Sequence, residues 1–172
     1  MDLKEKFRHI KDFPKEGIDF IDITTVLGDG EAFKVAIDAL AEKAKATGCN
    51  VIVGSEARGF IVGAPVAYKL GIGFVPARKK GKLPYETISG TYDLEYGTDT
   101  LEMHVDAVKK GDKALIVDDL IATGGTVGCI ADMIEKLGAE VSGSLFLVEL
   151  TELDGRKKLE EKGIKVDSVV EI

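Results

Sequence analysis

Short apolar segments alternate along the chain with longer segments in which apolar residues recur every three or four positions. The first long segment, residues 31–48, places Phe33, Ile37 and Leu40 on one helical face, and Gly48 is positioned to end the helix. Further helices are predicted at 60–71, 126–138 and 155–163, and strands at 50–54, 73–78, 112–119, 141–150 and 165–172. This alternation predicts an α/β fold, with a parallel-sheet core covered by helices on both faces.

One segment, residues 79–103, departs from this alternation. Within it, TISGTYDLEYGTDTLEM, residues 87–103, alternates in polarity and is rich in Thr and Tyr. Alternation around a glycine-containing centre predicts a two-stranded flap or a mobile loop. Ligands of parallel sheets bind beyond the carboxyl ends of the strands, and we expect the binding site there.

The composition is that of an ordinary globular domain. Of 172 residues, 45% are hydrophobic and 31% are charged, which suffices for one well-buried core. We find no repeat and no linker, so we expect a single domain over residues 1–172. The net charge of −7 argues against a nucleic-acid partner, since proteins that bind polyanions usually carry a basic field.

The sequence also argues against a membrane and against an oxidising compartment. No apolar run approaches the ~18 residues that span a bilayer, and the N-terminal MDLKEKFRHI lacks the apolar core of a secretory signal. The two cysteines, Cys49 and Cys129, have no metal-ligand spacing and are interpreted as reduced. We therefore expect a cytoplasmic protein with no membrane partner.

The candidate ligand-binding residues concentrate in ALIVDDLIATGGT, residues 114–126, which contains the end of the strand predicted at 112–119. Asp118 and Asp119 leave this strand at its carboxyl end, where two adjacent carboxylates can bind hydroxyls or a divalent cation. The segment 122–126, Ala-Thr-Gly-Gly-Thr, then opens a helix, and amides at a helix N-terminus bind anions. Together they predict a sugar phosphate as ligand. The alternative is an Asp-Asp turn followed by a capping threonine, which needs no ligand.

Two further segments carry anion-binding features. GSEARG, residues 54–59, also ends a predicted strand and precedes a helix, and its Arg58 suits phosphate oxygens. ARKKGK, residues 77–82, reverses the sign of an otherwise acidic chain. A local reversal of this kind favours a small anionic ligand over a polyanion.

VDDLIATGGT resembles the phosphoribosyl-pyrophosphate (PRPP) signature of type I phosphoribosyltransferases. The resemblance extends to the adenine phosphoribosyltransferase family through DFPKEGIDFIDIT, GSEARGFIVGAPVAYKLGIGFVPARKKGKLP, YDLEYGTDTLEM and LVELTELDGRKKL. These segments cover nearly the whole chain in order. They imply a purine-salvage enzyme that converts PRPP and adenine to AMP and pyrophosphate.

The resemblance assigns the PRPP contacts. Asp118 and Asp119 would hold the ribose hydroxyls. The 5-phosphate would be bound by Ala122, Thr123, Gly124, Gly125 and Thr126. The pyrophosphate would be bound by Arg58, Arg78, Lys79 and Lys82. Mg²⁺ would arrive on PRPP, near Asp118 and Asp119, without a dedicated protein cage.

Adenine would bind under an N-terminal hood, residues 1–30. Phe20 resembles the ring that stacks on the base, and main-chain groups of Asp19 and Ile21 would read its edge; the alternative for Phe20 is a core aromatic. A common form of the family has Arg at the position of Ile21, so any role of that side chain is lost here. In the flap, Glu95 would assist as an acid and Tyr96 would cover the reacting centre. Without the resemblance, Glu95 would instead be interpreted as an exposed flap carboxylate. The family also implies a homodimer.

Two other functions compete with this interpretation. A phosphoribosyltransferase for 6-oxopurines usually carries a lysine and an aromatic base-reading segment after the PRPP loop, and the residues after 126 show no such segment. A PRPP-sensing regulator would be expected to add a nucleic-acid surface or a further domain, which the net charge of −7 disfavours.

Overall fold

The computed structural model of the protein describes residues 1–94 and 96–172. Nine strands lie within them: β1 (Arg8–Lys11), β2 (Asp19–Asp22), β3 (Val51–Ser55), β4 (Gly73–Lys79), β5 (Thr87–Asp93), β6 (Thr98–His104), β7 (Lys113–Ile121), β8 (Glu140–Glu149) and β9 (Val166–Glu171). The helices are α1 (Thr24–Leu27), α2 (Gly30–Ala46), α3 (Arg58–Leu70), α4 (Gly125–Lys136) and α5 (Gly155–Glu161). A short 3-10 helix, Lys4–Lys6, precedes β1.

Seven strands form one sheet in the order β5-β6-β4-β3-β7-β8-β9. The five strands from β4 to β9 in this order pair in parallel. Alternate residues of β7 serve the two faces: Leu115 and Val117 join one apolar cluster with α2 and α3, whereas Ala114 and Ile116 join the other with α4 and α5. The predicted α/β fold with helices on both faces is thus confirmed.

The two strands of the predicted flap extend this sheet. β6 pairs antiparallel with the end of β4 at two positions, and β5 pairs antiparallel with β6 along seven. Gly90 of β5 packs against α4, where a methyl group on it would lie 2.6 Å from Cys129 Sγ. The sheet is therefore mixed, and among the described residues of the predicted flap, 80–86, 94, 96 and 97 lie outside its strands.

Local chemistry explains the helix boundaries. The Asp29 side chain accepts hydrogen bonds from the backbone amides of Glu31 and Ala32 at the start of α2. Gly71 adopts the left-handed conformation, with φ of 68°, at the end of α3. No helix among the described residues is long and apolar enough to cross a membrane.

The N-terminal residues form a small separate layer. β1 and β2 make an antiparallel hairpin outside the main sheet. Phe7, Ile21 and Ile23 bury their side chains in the cluster beneath α2 and α3, and Lys6 forms an ion pair with the capping Asp29 at 3.0 Å. The hairpin is therefore held on the side of the sheet that α2 and α3 cover.

Candidate active site

A cavity of about 430 Å³ lies at the carboxyl ends of β3 and β7. It is lined by residues 55–58 and 118–127, with Lys79, Tyr92, Leu101 and Phe146. Because β3 and β7 are neighbouring parallel strands, the loops that follow them meet at this edge. A larger cavity of about 720 Å³ lies near the amino ends of β8 and β9, but none of the predicted site residues lines it.

Asp118 and Asp119 lie near the carboxyl end of β7 and line this cavity, with 9% and 5% of their surface exposed. Asp118 Oδ2 accepts a hydrogen bond from Ser55 Oγ at 2.7 Å, and its Oδ1 accepts one from the Asp119 amide. Asp119 Oδ2 accepts from Arg58 Nε at 2.6 Å. The two carboxylates therefore have different partners: Asp118 is bound by Ser55 of β3, and Asp119 is bound by Arg58 at the start of α3.

The surroundings of Asp118 favour its neutral form. Burial, followed by the nearby charge of Asp119, raises the pKa of Asp118 to about 7. The start of α3 presses against the same carboxyl group, since a methyl group on Gly59 would lie 2.8 Å from Asp118 Oδ1. A glycine at this position of GSEARG is thus explained by the space that Asp118 needs.

Residues 122–126, called here the loop 122–126, follow β7 and include Gly125 and Thr126, the first two residues of α4. Gly124, with φ of 81°, precedes the helix, and no described side chain caps the first turn of α4. The amides of this turn therefore face the cavity without a side-chain acceptor, which suits an anion. Tyr92 of β5 lies against the loop, because a methyl group on Gly125 would be 3.6 Å from the Tyr92 ring.

Glu56 contacts three residues of the basic strip, which is the name used here for the ARKKGK segment, residues 77–82. Its Oε1 accepts a hydrogen bond from the Lys79 amide and its Oε2 accepts one from Lys82 Nζ, both at 2.6 Å. Arg78 Nε lies 3.4 Å from Glu56 Oε1 as an ion pair. Burial opposes ionisation of this carboxyl, but the bonds from Lys82 and the Lys79 amide outweigh it, so the pKa of Glu56 lies below its usual value.

Lys79 is the cation of the strip that lines the cavity. Its Nζ donates to Asp99 of β6 and lies 3.4 Å from Tyr92 Oη. Arg78 and Lys82 lie beside the cavity and reach it through Glu56, and Lys80 is exposed. The strip is therefore a network of ion pairs that links the loop after β3 to the flap strands.

Sequence reasoning did not single out three residues of the site: Ser55, which donates to Asp118, and Tyr92 and Asp99, which contact Lys79. Ser55 had a detectable signal, because it is the last residue of β3 and belongs to the GSEARG segment. Tyr92 and Asp99 lie on paired flap strands, at facing positions of β5 and β6. Their contact with Lys79 depends on the pairing of β6 with β4, for which the sequence gives no local signal.

The predicted base-binding residues lie in the β1–β2 hairpin, outside the cavity lining. Phe20 is half-buried and packs edge-on against Phe13, with ring centroids 5.2 Å apart. Asp19 is exposed and its carboxylate lies 2.8 Å from His9 Nδ1. Ile21 is 5% exposed and belongs to the apolar core, so this side chain supports the hairpin and leaves only its backbone for a ligand.

The flap turn approaches the hairpin. Tyr96 is 85% exposed, and Lys15 Nζ of the hairpin loop lies 6.0 Å from the centre of its ring. The predicted acid Glu95 lies outside the described residues. The remaining predicted residues, Arg58, Lys79, Asp118, Asp119 and 122–126, are brought together around one cavity.

Comparison with known proteins identifies the family to which the chain belongs. Residues 24–172 match the family described as the phosphoribosyl transferase domain. Curated adenine phosphoribosyltransferases of Acetivibrio thermocellus and Caldicellulosiruptor bescii are 60% and 61% identical to the chain. The alignments cover 99% of the chain in both cases, and 99% and 97% of the relatives.

Solved structures give the same result. The crystal structure of the Thermoanaerobacter pseudethanolicus adenine phosphoribosyltransferase has a TM-score of 0.94 at 53% identity, covering 99% of this chain and 98% of its own. That of the Saccharomyces cerevisiae enzyme, complexed with an imino-altritol bisphosphate and adenine, has a TM-score of 0.90 at 39% identity and covers 98% and 96%. The chain belongs to the adenine phosphoribosyltransferase family.

Proposed function

We propose that the protein transfers the 5-phosphoribosyl group of PRPP to N9 of adenine, giving AMP and pyrophosphate. The observation that carries the proposal is the single cavity in which Asp118 and Asp119 face the loop 122–126. A polyol bound to the acids and a phosphate bound to the loop amides are two parts of one sugar phosphate. The site thus fits the substrate that the family name implies.

In this account, the residues that surround PRPP divide by chemistry. Residues 122–126 bind the 5-phosphate through backbone amides and the hydroxyls of Thr123 and Thr126. The acid pair binds the ribose hydroxyls. Lys79 and Arg58 line the cavity and bind the pyrophosphate, with Arg78 and Lys82 held nearby by Glu56. Arg58 shares its contact with Asp119 when the pyrophosphate is bound.

The reaction is a displacement at C1 of the ribose. The lone pair of N9, in adenine that carries its ring proton on N7, forms the new bond as the bond between C1 and the pyrophosphate oxygen breaks. The electrons of the broken bond leave with the pyrophosphate, and the N7 proton is released to solvent. Positive charge develops at the ribose, and the carboxylate of Asp119 stabilises it. Cations at the pyrophosphate stabilise the departing negative charge, so positioning and electrostatics supply most of the catalysis.

Adenine binds below the β1–β2 hairpin in this proposal. The Phe20 ring offers an apolar face for stacking, and the backbone at Asp19 and Ile21 offers groups that read the base edge. Closure of the flap turn with Tyr96 would exclude water, which otherwise competes for the activated ribose. Glu95 is proposed as the acid that assists at the purine ring.

Magnesium is proposed as the cofactor, carried by PRPP. Among the described residues, no group of three or more His, Cys, Asp or Glu is placed to hold a metal. The carboxylates of Asp118 and Asp119 nevertheless fit a metal shared with the substrate, because Mg²⁺ prefers oxygen ligands and is often held by one or two carboxylates and substrate phosphates. When bound, Mg²⁺ would neutralise the charge of the pyrophosphate.

We also propose that the protein is a homodimer and lies in the cytoplasm. Sedimentation velocity of the purified protein tests the dimer.

Product analysis tests the proposed reaction. The protein is mixed with PRPP, adenine and Mg²⁺, and AMP and pyrophosphate are quantified together. Equal amounts of both products are expected. Release of pyrophosphate without AMP would indicate hydrolysis, and binding of PRPP without either product would favour the regulatory alternative.

A further inference from the structure

The start of α5 lies directly against the loop 122–126. Gly155, the first residue of α5, is buried, and a methyl group on it would lie 2.4 Å from the Ala122 carbonyl oxygen. The same methyl group would lie 2.8 Å from Ile121 Cγ1. Neither distance is compatible with packed atoms. Any side chain at residue 155 would therefore displace the backbone at the beginning of the loop.

The contact is reciprocal along the loop. A methyl group on Gly124 would lie 3.1 Å from the Gly155 carbonyl oxygen and 3.3 Å from Leu159 Cγ. Leu159 is 1% exposed and lies one helical turn after Gly155, so both residues are on the same face of α5. Two successive turns of α5 thus support two positions of the loop.

The position of α5 is itself fixed by a partly buried ion pair. Arg156 donates from Nε and Nη2 to the two carboxylate oxygens of Glu149, at 2.7 and 2.6 Å. Arg156 Nη1 also donates to the Val166 carbonyl oxygen at 2.7 Å, and Ser168 Oγ donates to Glu149. This fork ties α5 to the ends of β8 and β9, which prevents α5 from moving away when residue 155 gains a side chain.

We propose that Gly155 is a positioning residue for binding of the 5-phosphate group. It does not touch the substrate, and it acts by allowing α5 to hold residues 122–126 in the shape that receives the phosphate. The inference rests on the proposed function. It concerns space and not backbone conformation, since Gly155 is absent from the described glycines with positive φ.

The pyrophosphate contacts provide an internal reference. Arg58, Lys79 and Lys82 belong to the elements around β3 and β4 and are held by Asp119, Asp99 and Glu56. None of these residues is among the nearest neighbours of a methyl group on Gly155. A change at residue 155 should therefore weaken ligands that use the 5-phosphate and leave binding of pyrophosphate unchanged, whereas general damage to the fold would weaken both.

The test compares Gly155→Ala with Gly73→Ala. Gly73 is the first residue of β4, outside the hood and the cavity lining, and a methyl group on it would meet Val51 Cγ2 at 3.7 Å, an ordinary contact distance. Calorimetry of the full chain measures AMP binding and, with Mg²⁺ present, inorganic pyrophosphate binding. For Gly155→Ala, we expect the Kd of AMP and the KM of PRPP to rise by about tenfold or more, because phosphate hydrogen bonds are lost. The Kd of pyrophosphate should stay within about twofold, and Gly73→Ala should match the wild type.

Two outcomes would overturn the proposal. One is unchanged AMP affinity in folded Gly155→Ala, and the other is an equal loss of affinity for AMP and pyrophosphate. If Gly155→Ala does not fold, Leu159→Ala removes the second support, and the same selective loss of AMP binding is required. Absence of nucleotide formation by the wild type would instead refute the proposed function, independently of residue 155.

Discussion

At the residue scale, adjacent acids in one strand have separate tasks. Asp118 is oriented by Ser55 and by the Asp119 amide, so both of its oxygens are used within the protein. Asp119 is bound by Arg58, the first residue of α3. Asp118 thus forms part of the rigid wall of the cavity. Asp119 links β7 to α3 and, in the proposed function, joins the ribose side of the cavity to the pyrophosphate side.

Replacement of Asp119 should therefore affect turnover more than stability. Asp119→Ala removes the carboxylate nearest the developing positive charge and releases Arg58, so we expect kcat to fall by about 100-fold or more. Steady-state kinetics with PRPP and adenine measures the change, and Asp106→Ala, an exposed acid of another loop, is the control. Turnover close to the wild type in a folded Asp119→Ala protein would disprove the ribose assignment.

The titration of Asp118 predicts a pH dependence of stability. Its pKa is raised from 3.8 to about 7 by burial and by Asp119. The folded protein therefore binds a proton that the unfolded chain has released, and this stabilisation is present below about pH 4 and is lost as pH rises through about 7. Asp118→Asn cannot titrate at this position.

Urea unfolding of both proteins between about pH 5 and pH 8 tests this prediction. The wild type should lose stability relative to Asp118→Asn as pH rises, because other carboxylates contribute equally to both proteins and cancel in the difference. A difference in unfolding free energy that stays constant across this range would contradict the raised pKa of Asp118.

At the element scale, the flap strands depend on a close contact with α4. Gly90 of β5 lies where a methyl group would be 2.6 Å from Cys129 Sγ and 3.4 Å from Met133 Cγ. Tyr92 follows on the same strand and lines the cavity. The packing of β5 on α4 thus sets the position of a side chain in the active site.

A double-mutant cycle tests this contact. Gly90→Ala should destabilise the protein by about 1–3 kcal/mol, because its methyl group overlaps the Cys129 sulfur. In a Cys129→Ala background that sulfur is gone, so the cost of Gly90→Ala should fall by about half or more. Thermal or urea unfolding of the four proteins measures it, and an equal cost in both backgrounds would show that Cys129 does not limit the space.

Most elements could be predicted from the sequence, but one connection could not. Periodicity and glycine positions located α2, α3, α4 and the parallel strands within a few residues, because these signals are local. The joining of β6 to β4 involves only two residue pairs, Arg78 with Glu102 and Lys79 with Leu101. Such a long-range pairing leaves no periodic pattern, so the flap strands were not expected to extend the sheet.

At the scale of the whole molecule, one cavity gathers segments from across the chain. The loop after β3, Lys79 of β4, Tyr92 of β5 and the acids of β7 all line it. The sequence predicted the acids, the phosphate loop and the cations, because each is a charged or glycine-rich segment after a strand. Tyr92 and Asp99 could not be assigned in the same way, since their contact with Lys79 depends on the strand pairing that the fold creates.

In the proposed function, the β1–β2 hairpin is the part of the molecule that selects the base. Phe20, which packs edge-on against Phe13, is the apolar surface that the proposal gives to adenine. Ile21 is buried at the position where a common form of the family has Arg, so any role of that arginine side chain is lost here. Base selection in this proposal therefore rests on stacking and on the backbone of β2.

The measurement that tests the account most directly is a panel of bases. The protein, PRPP and Mg²⁺ are mixed separately with adenine, hypoxanthine, guanine and xanthine, and nucleotide formation is followed. The account predicts AMP from adenine and no nucleotide from the three oxopurines. A nucleotide formed from an oxopurine in preference to adenine would contradict the assignment of the β1–β2 hairpin as an adenine site.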